Sequence, residues 1–401
     1  MELTARTHAG GDLVALAESL ADELAERAPV HDRDGTYPHE SVRALRDAGY
    51  LTAPVPAELG GLGVSSIHDL VVASGRLARG DASVAIGVNM HLVAVMALAR
   101  RWSVARAAGN RRRTDAFAAS LAEVARERSV IAAAMSEPGQ DITRPATRAV
   151  RTADGWRIDG RKIFCTMSPA ATTLLTSVGF VDDRGVERYG YVQVPADATG
   201  VTIHGDWDAL GMRASGSHSI SLDGVELPAT ALRGGFPAGG AVPYLDRNMP
   251  SGLFHASASL GIAEAAFARV AVPERVRDDA RATMLVAESA VDLAAARGAI
   301  ARAASLVDDH YAAHPADDGS PEEITAVFAE GQAAKTFVGE AATRVVDRAL
   351  SLSGGAGYLN GSPLARAYRD VRASGFMHPL GANRAYAFLA RTALGLQPEL
   401  S

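Results

Sequence analysis

RDVRASGFMHPLGAN, residues 369–383, is the stretch of this 401-residue chain from which the fold is best deduced. It lies between two alanine-rich runs with helical periodicity, residues 322–352 and 382–394. Two more runs of the same kind, residues 251–270 and 281–306, come before them. Helical runs separated by short breaks are typical of antiparallel bundles. The C-terminal part of the chain is therefore predicted to be a four-helix bundle.

The character of the chain changes twice before this bundle. Up to about residue 129 the apolar residues recur with helical spacing, whereas residues 130–235 alternate as in β-strands and contain turn signals. We predict an N-terminal helical domain over 1–129, a middle antiparallel β domain over 130–235 and a four-helix-bundle domain over 236–401. This order of segregated helices and strands defines an α+β protein that is mainly α.

The first helix is expected to begin after Asp12 and to end at Pro29. Asp is a favourable N-cap residue, and the apolar positions that follow, beginning at Leu13, share one helical face. Proline lacks the amide N–H that continues a helix.

Composition excludes several classes of protein. The formal net charge is −6 with no long basic stripe, so nucleic acid is a poor candidate partner. The single cysteine, Cys165, can form neither an internal disulfide nor a multi-cysteine metal site, and we expect no metal. The first thirty residues contain acids and no long apolar core, so no signal peptide is expected. The longest clean apolar run, residues 92–99, is too short to cross a membrane, and the cytoplasm is the expected location.

Five motif-like stretches occur in an order that resembles the acyl-CoA dehydrogenase family over nearly the whole chain. They are GYLTAPVPAELGGLG (49–63), SEPGQDITR (136–144), GRKIFCTMSP (160–169), LGMRASGSHSISLDGVELP (210–228) and SGGAGYLNGSPLARAYRD (353–370). Each motif alone is weak, but their common order is specific. The resemblance implies the same three-domain architecture and a bound flavin, FAD or FMN.

The resemblance also implies which residues hold the flavin. Phe164 would form an apolar wall for the flat ring, and Thr166, Ser136 and the main chain near Met135 would supply hydrogen bonds. Gly354-Gly355 would let the backbone approach the cofactor where a side chain would clash. Without the resemblance, Phe164 and Thr166 would be interpreted as ordinary strand residues.

Where the dehydrogenases carry their catalytic glutamate, this chain has His378. The alternative glutamate position of that family aligns roughly with Ser251, so neither position supplies a carboxylate. Polar contacts to the tail of the cofactor are also missing, because Ser351 and Leu380 replace a glutamine and a threonine. Either the flavin binds weakly and arrives already reduced from a separate reductase, or other residues hold it.

The leading hypothesis is therefore a flavin-dependent monooxygenase of acyl-CoA dehydrogenase fold, which uses reduced flavin and oxygen to hydroxylate nitrogen, sulfur or an aromatic carbon of a small molecule. Similar monooxygenases imply His378 and Ser168 as catalytic candidates, and His91 would complete the pocket unless it is an ordinary core histidine. The alternative is an acyl-CoA or acyl-carrier-protein dehydrogenase with a different base, for which His378 is the candidate. The resemblance further implies a homotetramer.

Overall fold

The computed structural model describes residues 2–126, 129–139, 141–276, 278–397 and 399–400. Gln140, within the predicted flavin motif 136–144, lies outside the described residues. The described chain has the predicted order of helices, sheet and helices, and it is mainly helical.

The N-terminal part is helical, and its bounds are α1 His8–Asp34, α2 His39–Asp47, α3 Ile67–Gly80, α4 Ala82–Ala107 and α5 Arg111–Ala125. The predictions for the ends of α1 are wrong. Its N-cap is Thr7, whose side chain accepts from the amide of Gly10, and the helix passes through Pro29 to end at Gly35, which adopts the left-handed conformation. Tertiary contacts hold the extra turn after the proline, since Arg369 binds both carboxylate oxygens of Asp32.

The middle part is one sheet with the spatial order β6-β7-β3-β2-β4-β5-β8. Its strands are β1 Ile131–Ala134, β2 Arg148–Arg151, β3 Gly155–Cys165, β4 Thr173–Val181, β5 Glu187–Pro195, β6 Val201–Ile203, β7 His218–Pro228 and β8 Arg233–Pro237. Most neighbours pair antiparallel, as predicted, but β1 runs parallel to β4. The sheet has its own apolar core, in which Cys165 is fully buried.

The C-terminal part contains α6 Val242–Arg247, α7 Ser251–Val270, α8 Pro273–Val276, α9 Ala280–Ala313, α10 Pro321–Ser353, α11 Pro363–Val371 and α12 Ala382–Ala393. α10 packs against α7, α9 and α12, which gives the predicted bundle. α7 also packs on α3, so one apolar core joins this bundle to the N-terminal helices. The segment that contains His378 connects α11 to α12 at the edge of this core.

Among the described helices, α4 alone is long and apolar enough to cross a membrane. However, 78% of its most apolar window is buried inside the protein, as expected for a core helix.

Candidate active site

A cleft of about 490 Å³ opens between the sheet and the C-terminal helices. Five of the residues predicted for the flavin site or for catalysis line it, namely Met135, Ser136, Phe164, Thr166 and His378. Its volume is typical of a small-molecule or cofactor site. The structure thus brings together residues that lie more than two hundred positions apart in the sequence.

One wall of the cleft is aromatic. Phe164 has 59% of its surface exposed, although it is a large apolar residue near the end of β3. Trp207 stands edge-on to it, with the ring centroids 6.0 Å apart. Next to this wall, the hydroxyl groups of Thr166 and Ser217 lie 2.9 Å apart. An exposed aromatic face beside short polar groups fits the flat, polar-edged ring of a flavin.

A buried ion pair holds this wall in place. Lys162 on β3 donates to Glu137 at 2.7 Å, and Glu137 also accepts from the amide of Thr147 at 2.9 Å. Burial by itself would raise the pKa of Glu137, but Lys162 and the hydrogen bonds lower it, so the carboxylate stays ionised. Because Glu137 follows Ser136 directly, the pair fixes the backbone that faces the cleft.

His378 lies on the opposite side, and its tautomer follows from its neighbours. The amide nitrogen of Asn248 donates to the carbonyl of Tyr244 at 2.9 Å, which points the amide oxygen of Asn248 towards His378. That oxygen lies 3.1 Å from Nε2 of His378, so Nε2 carries the proton and donates. Nδ1 is then the acceptor nitrogen of the ring. Burial and the nearby Lys335 lower the pKa of His378 to about 3, so the imidazole is neutral at physiological pH.

Ser168 and His91 do not line the cleft. The Ser168 hydroxyl is buried and donates to the carbonyl of Gly216 at 3.0 Å. His91 is fully buried, and its Nε2 lies 3.0 Å from the carbonyl of Leu51 while its Nδ1 accepts from the amide of Ile131 at 3.0 Å. Main-chain groups therefore occupy both nitrogens of His91, as in an ordinary core histidine. The expectation that His91 completes the pocket does not agree with this position.

The glycine pair also lies outside the cleft, at the C-terminal end of α10. Gly354 has a left-handed φ of 64°, and a Cβ added to either Gly354 or Gly355 would meet no atom within 4 Å. Packing within this chain therefore does not demand a glycine at position 355.

Sequence reasoning missed several polar residues of the site. His255 on α7 lines the cleft, and Asn248, three residues before the suggested Ser251, contacts His378 together with Tyr244. The Ser251 hydroxyl instead donates to the carbonyl of Asn248 at 2.7 Å. The one signal for His255 is a lone histidine among the apolar and small residues 251–262.

The charged groups of the cleft are unusual for a dehydrogenase. No Asp or Glu is present among the described residues that line it, and the charged side chains there are Arg369 and Arg372. A carboxylate base is therefore absent from the described wall of the site.

Models of acyl-CoA dehydrogenase domains match the chain in three places. The N-terminal domain matches residues 14–103, the middle domain residues 132–225 and the C-terminal domain residues 253–378.

Similar proteins of known activity include oxygenating enzymes. The amino sugar nitrososynthase DnmZ of Streptomyces peucetius is 34% identical over 398 residues, which cover 97% of this chain and 95% of that protein. The structure of KijD3 with FMN and dTDP-3-amino-2,3,6-trideoxy-4-keto-3-methyl-D-glucose superposes with a TM-score of 0.89 at 31% identity, covering 99% of this chain and 97% of KijD3. Dibenzothiophene monooxygenase TdsC from Paenibacillus sp. A11-2 shares the fold, with a TM-score of 0.82 at 23% identity and coverage of 97% and 99%.

Proposed function

Since the chain belongs to the acyl-CoA dehydrogenase family, we propose that it oxygenates the amino nitrogen of a sugar carried on a nucleotide. The chain is a flavin-dependent oxidoreductase of the monooxygenase kind, as its sequence predicts. The class of reaction is therefore known, and the amino-sugar substrate is what we propose in addition.

The observation that carries the proposal is a cleft lined by the residues predicted to hold the flavin but by no described carboxylate. Dehydrogenation of an acyl thioester needs a base that removes the α-proton, and His378 is a poor one because its pKa is about 3. Oxygenation of an amine needs no such base, since the nitrogen lone pair is already a nucleophile. The absence of an ionised acid among the described lining residues therefore favours oxygenation.

The residues of the cleft have separate tasks. Phe164 and Trp207 would cover the flavin ring, while Ser136 and Thr166 would bind its polar edge. When bound and reduced, the flavin supplies the two electrons that activate molecular oxygen. The balanced reaction is R–NH₂ + O₂ + 2e⁻ + 2H⁺ → R–NHOH + H₂O. The apolar side chains of Ile86, Met90 and Met377 would keep bulk water from the reacting atoms.

A neighbouring basic groove supports a nucleotide-linked substrate. This groove of about 500 Å³ shares Arg369 with the cleft and is also lined by Arg33, Arg213 and Arg366. Carboxylates already bind Arg369, Arg33 and Arg213, whereas Nη1 of Arg366 is buried without a hydrogen-bond partner among the described residues. Guanidinium groups bind phosphate oxygens in forked pairs, so a diphosphate suits this groove.

We also propose a homotetramer and a separate flavin reductase as partners. Support for assembly comes from α9, where exposed apolar or small residues recur along one face. They are Met284, Ala287, Val291, Ala294, Ala295 and Gly298. A contiguous apolar face on a helix is typical of an interaction surface.

The test is a product assay. The protein, FMN, a general flavin reductase, NADH and ¹⁸O₂ would be incubated with the dTDP-amino sugar that occurs in the KijD3 structure. We expect a protein-dependent hydroxylamine or nitroso product that contains ¹⁸O, detected by mass spectrometry. An unlabelled sugar, together with reduction of bound flavin by an acyl-CoA without oxygen, would contradict the proposal.

A further inference from the structure

His255 is a buried polar residue of the cleft that the described residues leave without a hydrogen-bond partner. It lies on α7 with 6% of its surface exposed, and it lines the same cleft as His378. Neither Nδ1 nor Nε2 has a hydrogen-bond partner among the described residues. Buried polar side chains are nearly always hydrogen-bonded, so this histidine indicates a partner that is not part of the chain.

The hydrogen bonds that Lys335 and His378 make near His255 go to other groups. Lys335 on α10 donates to the carbonyl groups of Met377 and Leu380. His378 interacts with Asn248 and with the Tyr244 hydroxyl, as described above. None of these groups satisfies His255, and the open side that remains is the cleft.

The charges near His255 determine what it can bind. Burial, Lys335 and His378 lower the pKa of His255 well below its usual value, so the ring stays neutral and keeps an acceptor nitrogen. Lys335 on α10 and the arginines Arg369 and Arg372 of the cleft are the charged or basic groups nearby, and Tyr244 is protonated. Because no described carboxylate lines the cleft, a bound ammonium ion would be unfavourable there. A neutral N–H donor would be favourable.

We propose that His255 contacts the substrate directly, accepting a hydrogen bond from its amino group and holding that group as the neutral amine. This inference rests on the proposed function and names the form of the substrate that the site selects. An ammonium N–H bond breaks on binding, its proton passes to the solvent, and the electron pair stays on nitrogen as the nucleophile.

The test compares two ligands on the FMN-loaded protein. Calorimetric titrations would use dTDP, which has no amino group, and the dTDP-amino sugar found with KijD3. His255→Phe keeps a ring but removes both hydrogen-bonding atoms, and His255→Gln restores a polar group. We expect His255→Phe to weaken amino-sugar binding by about tenfold and dTDP binding by less than about twofold, with partial recovery in His255→Gln.

The number of protons released on binding gives a second measurement. A purely structural role of His255 would leave this number unchanged. Titrations at neutral pH in buffers of different ionisation enthalpy should show release of about one proton per amino sugar bound, and none for dTDP. Ser257→Ala is the matched control, because Ser257 lies on the same helix but its hydroxyl is 2.8 Å from that of Ser74 on α3. It should leave both affinities unchanged.

Three outcomes would overturn the inference. They are unchanged amino-sugar affinity in His255→Phe, equal loss for both ligands or for FMN, and no proton release by the wild type. If the wild type instead binds neither dTDP nor the amino sugar, the proposed substrate class fails, and the role of His255 fails with it. Thermal melting of each variant would show whether a lost affinity reflects unfolding.

Discussion

His91 and His378 each stand among apolar residues in the sequence, yet the structure uses them differently. His91 is enclosed on α4 and binds two main-chain groups, whereas His378 faces the cleft and binds side chains. The family resemblance located His378 because the position of its segment is specific. The resemblance left open whether His91 is a site residue or an ordinary core histidine. The reason is that periodicity shows that a residue is buried but not what it contacts.

Replacing His378 tests its role at the site. We propose that the imidazole orients the reacting groups in the cleft, so His378→Leu, which removes both ring nitrogens, should lower kcat/KM for oxygenation by about a hundredfold while FMN affinity stays unchanged. Tyr244→Phe removes the hydroxyl that lies 3.2 Å from Nε2 of His378 and should give a smaller loss in the same direction. Steady-state kinetics and flavin titration measure the two effects. Full activity in His378→Leu would show that the ring takes no part in the reaction.

His91 should make the protein sensitive to acid. Burial lowers its pKa from the ordinary value of 6.5 to about 4, so the unfolded chain binds more protons than the folded one between these pH values. Stability therefore falls as the pH is lowered through this window, by about 2 kcal/mol between pH 7 and pH 5. His91→Gln keeps a donor and an acceptor but does not titrate. Its urea midpoint should change less between the two pH values than that of the wild type, and an equal change would contradict the argument.

At the scale of elements, the cleft depends on how β3 is attached to the segment that follows β1. The pair formed by Lys162 and Glu137 is buried, with side-chain exposures of 0% and 2%. Lys162 also donates to the carbonyl of Ser177 on β4 at 2.7 Å. One ammonium group thus joins two strands to the backbone that faces the proposed flavin.

Removing one member of this ion pair should lower the stability of the protein. Lys162→Met leaves the Glu137 carboxylate buried without its cation, and we expect a loss of about 3–5 kcal/mol in the free energy of unfolding. The double variant Lys162→Met with Glu137→Leu removes both charges and should recover part of that loss. Urea unfolding of the single variants Lys162→Met and Glu137→Leu and of the double variant measures the coupling. If the double variant were as unstable as the sum of both single changes, the pair would not act as a coupled unit.

The ends of helices are where predictions from local sequence fail. Pro29 predicts the end of α1, but the helix continues because Arg213 and Arg369, far along the chain, both bind Asp32. A proline costs a helix roughly 3 kcal/mol, and tertiary contacts of this kind can offset such a cost. Local sequence signals also misplace the end of α9. This helix extends to Ala313, whereas the sequence predicts an end at residue 306.

At the scale of the whole molecule, the exposed face of α9 is the strongest sign of assembly. Met284 and Val291 are 60% and 68% exposed and lie seven residues apart, so they share one face of the helix. Contact with a second copy of the chain would bury this face.

A charge on this face should prevent assembly. Val291→Glu would place a carboxylate inside the proposed subunit contact, and we expect light scattering after gel filtration to show a mass below that of the proposed wild-type oligomer. Thr230→Glu, in the exposed turn between β7 and β8, is the control and should keep the wild-type mass. A Val291→Glu variant with the wild-type mass would show that α9 does not form the contact.

The sequence by itself determined the order of helices and sheet, and it predicted motif residues and a histidine, His378, that line one cleft. These features follow from periodicity and short motifs, which are local properties of the chain. Only the tertiary structure decided that His255 and Asn248 belong to the site, that Ser168 and His91 do not line it, and that no described carboxylate faces it. The reason is physical: whether a buried polar side chain is satisfied depends on atoms brought by distant elements, and the spacing of residues along one element does not specify those atoms.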